Sequence, residues 1–76
     1  MQERIKKVMS SVFGLPEREI PDSAAFDHLK GWDSLGHITL MMAIEQEFSV
    51  ELNSEAMLNA LTLPALEDFV RDARPK

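Results

Sequence analysis

The 76-residue chain contains no cysteine. That absence excludes disulfides, cysteine-ligated metals and thiol catalysis by the polypeptide, so any sulfur chemistry here must use an imported thiol. Basic residues are outnumbered, eight against thirteen acidic ones, for a net charge of −5. The resulting field repels nucleic-acid phosphates and anionic lipid surfaces and favours partners with basic surfaces. No apolar run approaches the length of a membrane span. The N-terminal stretch MQERIKKVMSSVFG carries charges through its apolar positions, where a signal peptide is uninterrupted, so a cytoplasmic chain is the simplest expectation. Repeats and low-complexity tracts are also missing.

Hydrophobic residues make up 45% of the chain and charged residues 28%, the composition of a globular protein. A chain of this length predicts one domain over residues 1–76, with one small core and little volume for a deep catalytic cavity. Ile5, Val8, Met9 and Val12 recur at helical spacing, predicting an amphipathic first helix that Gly14 and Pro16 stop. A second helix is expected from Ser34 to Glu47. Ser54 reads as the cap of a short third helix, EAMLNAL. Thr62 can cap a fourth, with Pro64 in its first turn and Leu63, Leu66, Phe69, Val70 and Ala73 on one face. Residues 14–33 form a long connection, which Leu15, Ile20, Phe26, Leu29 and Trp32 can pin to the bundle, with one helical turn expected around Ser23 to Leu29. The expected fold is all-α: a four-helix bundle with a long first loop and a short third helix.

At about 100° per residue, Leu40, Met41, Ile44 and Phe48 share one sector of the second helix, the core face. Leu35, Ile38 and Met42 form a separate stripe at spacing i, i+3, i+7. The pattern leaves two readings of that stripe: packing against the loop or the third helix, or an exposed strip that docks partners.

Ser34 opens the second helix inside the segment GWDSLGH. Its hydroxyl can serve as the N-cap, yet Asp33 competes for that role and is the better candidate, which leaves Ser34 to open the helix with its hydroxyl facing water. A serine at this place sits in the positive field of the helix N-terminus, where an attached phosphate is favoured. Asp33, Ser34 and His37 also invite a hydrolase reading, which fails because nothing supplies a further orienting group, an oxyanion hole and a pocket. His37 is expected to be partly buried and bonded to loop backbone, His28 to be solvated. No other ligands stand at metal-binding spacing from them, so no metal is expected.

The run DSLGHITLMMAIEQEF, residues 33–48, closely resembles the second-helix signature of acyl carrier proteins. FDHLKGWDSL matches that family's loop length from Phe to Ser, and FSVELNSEAMLNALTLPALEDFV lines up with its third and fourth helices without a gap. The resemblance implies a stand-alone carrier and not an enzyme. It implies that a phosphopantetheinyl transferase joins the 4′-phosphopantetheine of coenzyme A to Ser34 through a phosphodiester, so that the terminal thiol carries an acyl group as a thioester. Trp32, Asp33, Leu35 and Gly36 are the motif neighbours of that serine. By the same carry-over Leu35, Ile38, Met42 and Glu45 face partner enzymes, while Phe26, Leu40, Ile44, Leu52, Met57, Ala60 and Leu61 line the core or a cavity able to shelter an acyl chain. The implied partners are the transferase, an acyl- or aminoacyl-loading enzyme, and synthases or transferases with basic docking patches, all meeting a monomer.

Two positions depart from the fatty-acid carriers. Where those carry an Asp after Asp-Ser-Leu and a Glu three residues later, this chain has Gly36 and Thr39. Asp33, Glu45 and Glu47 remain, so electrostatic recognition is reduced and not abolished. WDSLGH looks more like carriers of specialised pathways, in secondary metabolism or cell-surface modification. The alternatives within the class are a housekeeping fatty-acid carrier and an aminoacyl or peptidyl carrier, including the D-alanyl type. Outside it stands an unmodified helical interaction module in which Ser34 is only a cap.

Overall fold

Gly14 ends the first helix by taking a left-handed conformation, φ 69°, that lets its amide donate to the Ser10 carbonyl. The computed structural model describes residues 1–76. It contains helices α1 (Gln2–Phe13), α2 (Ser34–Phe48), α3 (Ser54–Asn59) and α4 (Leu63–Asp72). Two short strands, β1 (Val50–Glu51) and β2 (Arg74–Pro75), pair antiparallel, with Val50 opposite Pro75 and Glu51 opposite Arg74. The architecture is the expected all-α bundle with a long first loop, plus this small pair of strands. The pair forms because the chain leaving α4 runs back past the α2–α3 connection, where the Lys76 amide also donates to the Ser49 carbonyl at 2.9 Å.

Thr62 caps α4 as its sequence position suggests, its Oγ1 accepting from the Ala65 amide at 3.1 Å. The cap of α3 is one residue earlier than expected. Asn53 Oδ1 accepts from the Ala56 amide at 2.9 Å, so Ser54 is the first helical residue. That helix also stops at Asn59, because the Leu61 amide turns to the Asn59 carbonyl instead of continuing the helical ladder. Ala73 falls just outside α4, in extended conformation.

The long loop holds a 3₁₀ turn at Glu17–Glu19, behind Pro16, and none over residues 23–29. The backbone there has other partners. The His28 amide closes a turn on Ala25 O at 3.0 Å, but Asp27 takes φ 67° and the turn is not helical. The Phe26 amide donates to Leu61 O at 2.8 Å and the Leu63 amide to Ala24 O at 2.9 Å, stapling the loop to the α3–α4 junction.

One core cluster draws on every long element: Ile5 and Met9 from α1, Leu40, Met41 and Ile44 from α2, and Leu63, Leu66 and Val70 from α4. The loop adds Ile20, Ala24 and Trp32, all buried, and Phe26 and Leu29 pack against the cluster from its edge. No buried side-chain nitrogen or oxygen lacks a hydrogen-bond partner. The consequence for function is that the end of the loop is held firmly where it becomes α2.

Candidate functional site

The loop end is fixed by Trp32. Its side chain is fully buried, its amide donates to Leu29 O at 3.0 Å, and its carbonyl accepts from the Asp27 amide at 2.7 Å. The indole stacks on Phe13 of α1 with ring centroids 6.1 Å apart. The indole N–H, a donor only, reaches His37 Nδ1 at 3.0 Å. His37 is therefore held between the loop and α3, since its Nε2 lies 2.7 Å from the Met57 carbonyl. Its partners are an indole and a helix carbonyl, and not the loop backbone expected from the sequence. His28 is exposed.

With Trp32 anchored, Asp33 is the N-cap of α2. Its Oδ1 accepts from the Gly36 amide at 2.8 Å, and its carbonyl accepts from the His37 amide at 2.7 Å. That division of labour releases Ser34. The serine is the first residue of α2, it is exposed, and no hydrogen bond engages its hydroxyl. The amides of Ser34 and Leu35 make no backbone hydrogen bond either, and no acidic side chain stands in the first turn. A free hydroxyl beside unpaired helix N–H groups suits an oxygen-linked phosphate. Both ring nitrogens of His37 are committed elsewhere, so this histidine is not placed as a base for Ser34.

Gly36 has a steric reason that the sequence did not disclose. A Cβ on this residue would stand 1.9 Å from the Gly31 carbonyl oxygen, so the loop end lies directly on the first turn of α2. Gly31 itself has φ 91° and a Cβ built on it would meet Phe13 at 3.0 Å. Phe13, Gly31 and Gly36 thus form a stack of close approaches beside Ser34, in which Gly31 was missed because a lone glycine before a tryptophan looks like ordinary loop. Together with Val12, Asp33, Leu35 and Thr39 they border a shallow groove of about 290 Å³.

A family model described as a phosphopantetheine attachment site matches residues 3–70. The chain belongs to this family of carrier domains. Members carry a 4′-phosphopantetheine prosthetic group, and the exposed hydroxyl, unpaired amides and uncharged first turn of α2 fit such a group. No cluster of three or more His, Asp or Glu side chains in the carrier is placed to hold a metal ion.

The second stripe of the carrier stands in solvent: Leu35 is 75% exposed, Ile38 49% and Met42 65%. Leu58 on α3, which lies outside that stripe, is 71% exposed. Glu45, expected among the partner-facing residues, instead turns back on the fold, its Oε2 accepting from the Leu52 amide at 2.8 Å. Glu47 pairs with Arg4 at 3.2 Å and Asp33 is spent on the cap. All three acidic groups retained around α2 are therefore engaged within the chain. Of the residues expected to line an acyl cavity, Leu40, Ile44 and Ala60 are fully buried, and Phe26, Leu52 and Met57 pack half-buried against them. Leu61 is the exception, 37% exposed because α3 has already ended. Of these residues, Leu52 borders two surface grooves beside Asp72 and Ala73.

Proposed function

We propose that this carrier is loaded at Ser34 and holds acyl intermediates of a specialised pathway, in secondary metabolism or cell-surface modification, in the cytoplasm. The observation that carries the reading is the exposed hydroxyl of Ser34, which the Asp33 cap leaves unused at the start of α2. In loading, the Ser34 Oγ–H bond is lost to a base of the transferase, an Oγ–P bond forms, and the P–O bond of the coenzyme A pyrophosphate breaks. Adenosine 3′,5′-bisphosphate departs with that oxygen. The attached 4′-phosphopantetheine supplies a terminal thiol that holds the acyl group as a thioester. The chain's own residues present the site: Asp33 and Trp32 fix the turn, and the amides of Ser34 and Leu35 face the phosphate.

Leu35, Ile38 and Met42 form the docking strip for the transferase and for the loading and accepting enzymes. Such enzymes meet an apolar surface framed by the acidic field of a chain of net charge −5, in which Asp33 and Glu45 accept from backbone amides and keep their charge while Glu47 pairs with Arg4. Gly36 and Thr39, uncharged where fatty-acid carriers are acidic, support a specialised pathway over a housekeeping one. The carrier acts as a substrate of its partner enzymes. Tethering gives the cargo a high effective concentration at each active site without tight docking.

The test is to incubate the purified chain and its Ser34→Ala variant with coenzyme A and a broad-specificity phosphopantetheinyl transferase, then weigh both intact. The reading expects one added phosphopantetheine on the wild type and none on the variant. A folded wild-type chain with unchanged mass is what an unmodified interaction module would show.

A further inference from the structure

We propose that His37 is a positioning residue for loading, tying the loop end and α3 to the first turn of α2 through one defined tautomer. The assignment rests on Ser34 being the attachment point. Its chemistry follows from the partners. The Trp32 indole can only donate, so His37 Nδ1 must be the bare, accepting nitrogen at 3.0 Å. The Met57 carbonyl can only accept, so Nε2 must carry the proton across 2.7 Å. The ring orientation and the tautomer are both dictated, since a flipped ring would present C–H groups to the two partners, and the other tautomer would set donor against donor at the indole and acceptor against acceptor at Met57.

The burial makes this arrangement consequential. His37 is 5% exposed, with Trp32 stacked on it at 6.2 Å and Phe26 meeting it edge-on at 5.7 Å. It is the only buried polar or charged residue, so a lost partner there cannot be replaced by water at low cost. The two bonds have separable jobs. The Trp32 bond holds the peptide two residues before Ser34, and with it the serine's presentation. The Met57 bond holds α3, a helix of only six residues.

The two arms can be cut separately. In His37→Asn the amide oxygen lies near the Nδ1 position and can still accept from Trp32. In His37→Gln the longer side chain can still donate to Met57 but no longer accepts from the indole. Nitrogen NMR of the wild-type imidazole is expected to show the Nε2–H tautomer. His37→Gln and Trp32→Phe are expected to lower kcat/KM for transfer from coenzyme A roughly tenfold, as loss of one buried bond implies, while His37→Asn stays within about twofold of wild type. Amide exchange in α3 is expected to reverse the order, faster in His37→Asn and near wild type in His37→Gln. Should His37→Gln lose its helical circular dichroism, Trp32→Phe decides the loading arm. An Nδ1–H tautomer, or wild-type loading in a folded His37→Gln or Trp32→Phe variant, overturns the assignment alone. A wild-type chain that gains no mass overturns the Ser34 reading and this assignment with it.

Discussion

Gly36→Ala separates two physical expectations by sign. On an unobstructed helix, adding a methyl group in place of glycine stabilises by up to about 1 kcal/mol, through helix propensity and a less flexible unfolded chain. Here the new Cβ would stand 1.9 Å from Gly31 O and 3.1 Å from the Gly31 carbonyl carbon. Comfortable non-bonded separations begin near roughly 3.5 Å, so the Gly31 peptide would have to retreat by more than about 1 Å. It has little freedom to do so. The next residue, Trp32, is buried and bonded through amide, carbonyl and indole, and Gly31 is backed by the Phe13 side chain. A 1.9 Å approach to a backbone atom belongs in the upper part of the overpacking range, about 2–3 kcal/mol, and subtracting a propensity gain of about 1 kcal/mol leaves a net loss of about 1–2 kcal/mol. For a domain of this size that lowers Tm by roughly 5–15 °C. Thermal and urea melts followed by circular dichroism measure it directly. A Tm raised by a few degrees would mean that Gly31 does not rest on α2, and the account of how Ser34 is presented would fall.

Asp33→Ala removes the cap bond to the Gly36 amide and is expected to cost about 1 kcal/mol in urea melts. Ser34→Ala, by contrast, is expected to change stability by less than about 0.5 kcal/mol, because its hydroxyl supports nothing in the fold. Ile38→Asp and Met42→Glu are expected to melt within about 0.5 kcal/mol of wild type, while transferase loading loses affinity as a rise in KM; a collapsed fold would show the stripe to be core. Leu66→Ala, at a fully buried site, is expected to cost about 2–5 kcal/mol, enough to leave so small a domain largely unfolded in a thermal scan.

The features legible in the sequence are those set by neighbours along the chain. The α1 stop at Gly14, the Asp33 and Thr62 caps and the core face of α2 depend on residues within one or two turns, so type and spacing reveal them. The features that escaped depend on distant partners. Asn53 and Ser54 are both good caps, and local chemistry does not choose between them. The helical turn expected over residues 23–29 lost to backbone bonds with Leu61 and Leu63, about forty residues downstream. The same holds at the site. The sequence marked Ser34 and its neighbours and the burial of His37, but the role of Gly36 depends on the Gly31 carbonyl, and the partners of His37 are the Trp32 indole and the distant Met57 carbonyl. The family resemblance put Glu45 among the partner-facing residues, and only the fold of the α2–α3 connection reveals that it accepts from the Leu52 amide.

The central claim is that Ser34 is the attachment point and not a cap. The chain has six serines, at 10, 11, 23, 34, 49 and 54, so the site can be mapped within one molecule. After treatment with coenzyme A and the transferase, fragmentation mass spectrometry of the modified chain should place the whole phosphopantetheine increment on Ser34. An increment on any other serine, or a folded chain with none, would contradict the account.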